Sequence, residues 1–422
     1  MRRAIADYPL VLYGLALSAF GIAMVYSAGE TDMPTVARGA WEKQIVWTVL
    51  GIIAAFAVSR LSVRIYEWLT TPAYIATIVL LAVTLVLGKG AGTAASQAGW
   101  IGFGSLRIQP AEFAKITVVL MLAQVLGARK EAPRSLMDLW KPAVVVGIPW
   151  VLIMLQPDLG TGIVFIGIVF AMLYWSGVPW PLLVLVASPV VSLILAGFGP
   201  RAWGTWFILL TALIAWLYTW RSSAYKPFLF ESVVIGVLNL LMGVAAPVLW
   251  DKLKPYQQKR LLVFLDPNLD PRASGYHVIQ STVAIGSGGW AGKGFTLGTQ
   301  KRLAFLPAQH TDFIFSVVGE ELGFIGVTLA LTLFLALFLR IVRVAGRAND
   351  SFSSLVTFGL LASWFVHVAE NVGMTLNLMP ITGIPLPFFS YGGSFMLASW
   401  LAIGILVRIA SEGRGRPDGL AI

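Results

Sequence analysis

Long apolar runs, separated by short polar loops, set the pattern of this chain. A run of about 20 apolar residues can cross the hydrocarbon core of a bilayer as a helix. The pattern predicts about twelve such spans, at residues 9–28, 44–60, 71–88, 112–127, 141–156, 160–176, 181–198, 204–220, 228–250, 312–342, 353–373 and 391–409. We therefore expect an all-α polytopic membrane protein in which residues 1–422 form a single domain. Further spans follow the first run, so we expect that run to be retained and not cleaved as a signal peptide.

Composition agrees with this fold class. The chain is 58% hydrophobic and only 12% charged, against about 25% charged residues in soluble domains. It has no cysteine, which excludes disulfides, iron–sulfur clusters and cysteine–zinc sites. The net charge of +10 favours cytoplasmic loops and an anionic membrane lipid surface, and no nucleic acid partner is expected.

The distribution of Lys and Arg predicts the orientation. With a cytoplasmic N-terminus and alternating spans, the short outer loops receive few cations, and the C-terminus is also cytoplasmic. Residues 251–311 then form a large extracytoplasmic loop that carries eight cations, against the usual rule. These cations are either solvated charges or a site for a phosphate-bearing lipid or substrate. The loop also contains a glycine-rich stretch, 286–294, and an amphipathic stretch, 278–285, that predicts a short helix on the membrane surface.

Several ionisable residues lie inside or beside the spans, where charge is costly. Glu112 and Lys115 are three residues apart in a helix that Pro110 opens, so they form either a structural ion pair or part of a polar cavity. Asp158 either caps the sixth span or lies at the outer end of a cavity. We expect interior polar roles for a further set, which comprises Glu320, Glu321, His367, Glu370 and Asn371.

Two irregular junctions complete the pattern. Residues 385–394 predict a non-helical start to the last span, which favours a cavity open to the outer side. His310, Thr311 and Asp312 precede the apolar run 313–342. Thr311 or Asp312 could cap the helix that follows, or Asp312 could be a reactive carboxylate whose pKa is raised by a low dielectric.

Seven motifs, taken together, resemble the SEDS family of shape, elongation, division and sporulation proteins, which includes RodA and FtsW. They occur in the family's order at residues 109–115 (QPAEFAK), 156–161 (QPDLGT), 275–281 (GYHVIQS), 284–289 (AIGSGG), 298–300 (GTQ), 305–323 and 390–394 (SYGGS). His277 and the two short glycine motifs at 292–294 and 298–300 resemble RodA more than FtsW. The family usually has ten spans, so 204–220 and 228–250 are two extra spans here. Gly99-Trp100 stands where RodA-like proteins commonly have Arg-Trp, so the role of that arginine is absent or has moved to Arg107.

The resemblance implies a peptidoglycan polymerase that joins lipid II units by β-1,4 bonds at the outer face of the bacterial inner membrane. It implies work with a class B penicillin-binding protein within the elongation machinery. By the same resemblance Asp312 is the catalytic base, and a divalent cation could assist in holding pyrophosphate. The candidate substrate-binding residues are Lys259, Arg260, Lys301, Arg302, Gln300, His310, Glu112, Lys115, Asp158 and Ser394. A lipid II flippase and a scaffold that only recruits the transpeptidase are the alternatives.

Overall fold

The computed structural model describes residues 7–88, 99–103, 106–219, 229–253, 255–271, 274–306 and 308–413. Its helices are α1 (Tyr8–Gly29), α2 (Ala40–Ser59), α3 (Val63–Leu87), α4 (Pro110–Gly127), α5 (Trp140–Leu155), α6 (Leu159–Trp175), α7 (Trp180–Gly197), α8 (Pro200–Thr219), α9 (Leu229–Lys252), α10 (Pro255–Leu265), α11 (Ser274–Ser287), α12 (Thr299–Arg302), α13 (Ile314–Gly346), α14 (Ser351–Thr375) and α15 (Gly393–Gly413). A small antiparallel hairpin, Ile101–Phe103 with Leu106–Ile108, precedes α4.

All twelve predicted spans are helices, so the prediction of an all-α polytopic membrane protein is confirmed. Within the described residues, eleven helices are long and apolar enough to cross a membrane. The twelfth, α6, is apolar but has 17 residues, which is near the lower limit for a crossing helix.

The bundle has a buried centre and a peripheral pair of helices. Helices α4, α14 and α15 are the most buried spans, whereas α8 and α9 are the least buried and pack beside α7. Asn239 of α9 fixes this packing, because its side-chain amide donates to Ser188 Oγ of α7 at 2.8 Å. Trp203 of α8 donates to Ser192 Oγ of α7 at 2.8 Å. Side-chain hydrogen bonds thus link the two extra helices, α8 and α9, to α7 at the edge of the bundle.

Helix α13 corrects the predicted tenth span. A straight helix of 33 residues would be about 50 Å long, well beyond the hydrocarbon core of about 30 Å. Gly323, with φ +61° and ψ −156°, breaks α13 into two parts. Residues 324–346 are long enough to cross, at about 35 Å, whereas residues 314–321 are buried inside the protein. The span therefore begins about three turns beyond the predicted residue 312.

The glycine-rich stretch packs directly on this break. Phe324 and Ile325 donate their backbone N–H groups to the carbonyls of Gly289 (2.9 Å) and Trp290 (3.1 Å). A Cβ on Gly323 would lie 2.4 Å from the backbone nitrogen of Gly292, so this contact requires glycine. The backbone groups freed by the break find partners in the loop, as groups at membrane depth must.

Candidate functional site

The turn of residues 308–313 leads into α13. Three hydrogen bonds within this turn converge on the backbone carbonyl of Ala308. Ala308 adopts φ +50°, a conformation that costs a non-glycine residue free energy. Its carbonyl accepts bonds from the N–H groups of Thr311 (3.0 Å) and Phe313 (3.3 Å) and from the Thr311 hydroxyl (3.2 Å). Helix α13 starts after Phe313, and no side chain among the described residues caps it. The interpretation of Thr311 or Asp312 as the cap is therefore wrong, and the Asp312 carboxylate is not occupied in capping the helix.

The backbone of this turn is held from two neighbouring elements, α14 and the irregular segment before α15. Three consecutive carbonyls each accept one hydrogen bond: His310 from the Tyr391 N–H (2.9 Å), Thr311 from the Ser390 hydroxyl (2.7 Å) and Asp312 from the Asn371 amide (2.8 Å). This arrangement fixes the backbone while leaving the Asp312 side chain unused. The two irregular segments predicted from the sequence, residues 310–312 and 385–394, are therefore hydrogen-bonded to each other.

The Asp312 carboxylate lies against Gly383. A Cβ on Gly383 would be 3.3 Å from Asp312 Oδ2, and Gly383 itself has φ +76°. Burial raises the pKa of Asp312 to about 6 and the charge of Asp158 adds to the rise, while the neighbouring Thr311 hydroxyl and the charge of Arg260 oppose it. A carboxylate with this pKa is a stronger base than an exposed one and is mostly ionised at neutral pH.

Asp158 caps α6, as one of the two interpretations predicted, and also faces the same site. Its carboxylate accepts bonds from the Thr161 N–H at 3.0 Å and the Thr161 hydroxyl at 2.9 Å. Gln109 adds a third bond at 3.2 Å. Gly160, in the first turn of α6, packs against Thr382 and Ile384, which flank the Gly383 that lies against the Asp312 carboxylate. Asp158 can therefore cap α6 and lie beside the candidate site at the same time.

The predicted Glu112–Lys115 ion pair is present, with its atoms 2.7 Å apart and both side chains buried. Lys115 Nζ also lies 2.7 Å from His367 Nε2, and His367 Nδ1 lies 3.0 Å from the Pro385 carbonyl. Since a carbonyl only accepts, Nδ1 carries the proton and Nε2 accepts from Lys115. This chain of contacts ties α4 and α14 to the segment that holds the Asp312 turn.

Ser394 joins α15 to the start of α4. Its hydroxyl accepts the Gln109 N–H at 3.0 Å, and the side chain is buried. The predicted interior cluster on α14 is confirmed as well: besides His367 and Asn371, Glu370 accepts a bond from Thr382 at 2.9 Å.

The four candidate cations have different positions. The charge of Arg260 on α10 lowers the pKa of Asp312, whereas the side chain of its neighbour Lys259 is 60% exposed and lies 3.5 Å from Asp270. Lys301 is fully buried, 3.0 Å from Glu321 Oε1, and donates to the hydroxyl of Ser27 at 2.9 Å. This corrects the expectation that Lys301 binds substrate, because its ammonium is already neutralised and enclosed.

The neighbours of Lys301 on α12 also face the break in α13 and the α1 end. Arg302 forms two bonds with Asp32 Oδ1, at 2.9 and 3.1 Å. The Gln300 N–H donates to Glu320 at 2.9 Å, and Glu320 also pairs with Lys293 at 2.8 Å. Glu320 and Glu321 are buried, which confirms their predicted interior roles.

The sequence interpretation missed Gln44 and Gly383. Gln44 of α2 donates to the Ser390 carbonyl at 2.8 Å and accepts the Gly392 N–H at 3.2 Å, so it supports the segment that holds Asp312. A glutamine at the start of an apolar span was the available signal. Among the described residues no group of three or more His, Asp or Glu could hold a metal ion, and we assign no step to a divalent cation.

The fold and the site define a polytopic membrane protein in which a carboxylate with a raised pKa, Asp312, precedes a helix, α13, that is broken at Gly323. The model of the FtsW, RodA and SpoVE family, described as "Cell cycle protein", matches residues 8–203 and 202–415. The chain belongs to this family, which confirms the SEDS resemblance.

Relatives and solved structures agree over nearly the whole chain. It is 36% identical over 430 residues to "Peptidoglycan glycosyltransferase RodA" of Treponema pallidum, covering 96% of this chain and 97% of the relative. It is 33% identical over 407 residues to "Peptidoglycan glycosyltransferase MrdB" of Escherichia coli K12, covering 96% and 93%.

Among solved structures, a chain of a complex described as "Structural coordination of polymerization and crosslinking by a peptidoglycan synthase complex" has a TM-score of 0.70 at 30% identity, covering 96% of this chain and 98% of that chain. RodA of Thermus thermophilus has a TM-score of 0.61 at 26% identity, covering 96% of each chain.

Proposed function

We propose that this chain is a peptidoglycan glycosyltransferase of the RodA type, which polymerises lipid II during cell elongation. One observation carries the proposal: the Asp312 carboxylate, unused as a cap, is held at the site on a fixed backbone, and its pKa is raised to about 6. The curated relatives that match the whole chain are named peptidoglycan glycosyltransferases, which supports the same activity.

The proposed step is a displacement at the anomeric carbon of the donor sugar. Asp312 accepts the proton of the acceptor 4-hydroxyl while the hydroxyl oxygen bonds to the anomeric carbon. The bond from that carbon to the phosphate oxygen breaks, and the polyprenyl pyrophosphate leaves with the electron pair. Configuration at the carbon inverts, which gives a β-1,4 bond from an α-linked donor. Base and leaving-group stabilisation are the two contributions that the protein must supply.

Arg260 is our first choice for stabilising the leaving pyrophosphate, because its positive charge lowers the pKa of Asp312. Lys259 is exposed on the same helix and could contact phosphate at the rim. Burial lowers the pKa of His310 to about 4, so its imidazole is neutral and can hydrogen-bond a sugar hydroxyl. We propose that Asp158, Glu112, Lys115 and Ser394 shape the polar cavity rather than react.

We further propose that both termini are cytoplasmic and that residues 251–311 face the extracytoplasmic side. The distribution of cations along the sequence supports this orientation. A class B penicillin-binding protein is the proposed partner, and the similarity to a chain of a peptidoglycan synthase complex supports it.

The test is polymer formation from fluorescent lipid II by purified protein, with and without the transpeptidase. Wild type should form glycan polymer, and Asp312→Asn should form none although it folds and binds its partner. Asp32→Asn, which removes an exposed carboxylate beside Arg302, is the matched control and should polymerise normally. Lipid II transport without polymer would favour the flippase. Partner recruitment without either activity would favour the scaffold.

A further inference from the structure

Helix α11 runs beside the first part of α13, and hydrogen bonds fix their alignment. Ser281 Oγ lies 2.7 Å from Ser316 Oγ and donates to the Thr375 carbonyl at 2.7 Å, so Ser316 must donate to Ser281. One helical turn before Ser281 lies His277, on the same face of α11. Its ring stacks on Phe313, with centroids 6.0 Å apart and planes at 15°. His277 is therefore placed beside the residue that follows Asp312.

The imidazole of His277 has an unusual environment. Its Nδ1 is buried, and within the described part of the chain it has no hydrogen-bond partner. A buried N–H without an acceptor is costly, so the proton is better placed on Nε2. Burial and then the charge of Arg260 lower the pKa of His277, which favours the neutral ring. Nothing in the proposed chemistry so far uses this group.

Arg260 connects His277 to the reacting carboxylate. Helix α10, which carries Arg260, packs against α11, and the charge of Arg260 lowers the pKa of both His277 and Asp312. A neutral N–H donor beside a guanidinium matches the oxygens of a phosphate group, which accept both neutral and charge-assisted hydrogen bonds. A sugar hydroxyl would not require the cation. The chemistry of the pair therefore selects an anion.

We propose that His277 is a further substrate-binding residue, which donates a hydrogen bond from its imidazole to a phosphate oxygen of a polyprenyl pyrophosphate that Arg260 also binds. The inference rests on the proposed function, because it places the leaving group of that reaction on the α10–α11 side of Asp312. It assigns the donor pyrophosphate, rather than the acceptor sugar, to this side.

The test measures binding of undecaprenyl pyrophosphate and undecaprenyl monophosphate to the purified full-length chain in detergent. His277→Phe keeps an aromatic ring for stacking on Phe313 but removes the donor, whereas His277→Gln keeps a donor near the position of Nε2. We expect His277→Phe to weaken pyrophosphate binding about tenfold, as for loss of a hydrogen bond to a charged group. Monophosphate binding should weaken less, and His277→Gln should retain most of the affinity.

Thr282→Ala on the same helix is the control, because in the described part of the chain the Thr282 hydroxyl bonds only to carbonyls of its own helix, at 3.1 and 3.0 Å. Wild-type affinity in folded His277→Phe would overturn the proposal and leave His277 with a packing role. Equal weakening for both lipids would also overturn it. The polymer assay separates the proposed polymerase activity from the proposed role of His277. If wild type forms polymer and His277→Phe binds pyrophosphate normally, only the role of His277 is overturned. Pyrophosphate binding that depends on His277, without polymer, removes only the proposed activity.

Discussion

The side-chain amide of Asn371 donates to the backbone carbonyl of Asp312 at 2.8 Å and to that of Ile384 at 2.7 Å. One fully buried side chain on α14 thus joins the Asp312 turn to the segment that contains Gly383. The position of the proposed catalytic carboxylate therefore depends on a residue that does not touch substrate in the proposed reaction.

We expect Asn371→Ala to lower kcat at least tenfold with a smaller change in KM. The variant leaves two buried carbonyls without their donor, at about 1–3 kcal/mol for each, and allows Asp312 to move. Steady-state polymerisation rates and thermal unfolding check this prediction. Wild-type kcat in a folded Asn371→Ala protein would contradict the positioning role.

The rate of polymerisation should fall as the pH is lowered through about 6, the pKa of Asp312. Below this pH the carboxyl group is protonated and cannot accept the proton of the hydroxyl. His310, whose pKa is lowered to about 4, stays neutral across the same range and does not contribute to the fall. The measurement is kcat/KM against pH, and a flat profile down to pH 4.5 would contradict the assignment.

Arg260→Gln supplies an internal check on that profile. Because the charge of Arg260 lowers the pKa of Asp312, its removal should move the acid limb to higher pH and also raise KM. A profile that does not move would show that Arg260 lies too far from Asp312 to act on it.

Gly323→Ala should destabilise the protein by at least about 2 kcal/mol. The added Cβ would meet the Gly292 nitrogen at 2.4 Å, and the residue would have to keep φ +61°. Gly346→Ala, at the end of the same helix, is the control, because no atom of the described residues lies within 4 Å of the new Cβ. Unfolding temperatures in detergent should separate the two variants, and equal values would contradict the packed break.

Lys301→Met should destabilise the chain by about 3–5 kcal/mol, because it leaves the buried Glu321 carboxylate unpaired. The double variant Lys301→Met with Glu321→Leu should recover most of this stability and polymerise at a near wild-type rate. Loss of substrate binding in the folded double variant would instead return Lys301 to the substrate site.

The sequence predicted the spans well, since long apolar runs have few alternative structures. It also predicted the Glu112–Lys115 pair, because residues three apart share a helix face. The break at Gly323 was not predictable, since a glycine within an apolar run is also tolerated in a helix. Lys301 and Arg260 could not be separated by charge alone; the fold encloses Lys301 with Glu321, whereas the charge of Arg260 lowers the pKa of Asp312. The capping interpretation failed because the Ala308 carbonyl, rather than a side chain, closes the turn.

The most direct measurement is polymerisation of lipid II by Asp312→Asn whose substrate binding has first been verified. The asparagine keeps the size of the side chain and the backbone contacts of the turn but cannot accept a proton as a carboxylate does. We expect this variant to bind lipid II with near wild-type affinity and to form no glycan polymer. Polymer formation at the wild-type rate would contradict the assignment of Asp312 as the base.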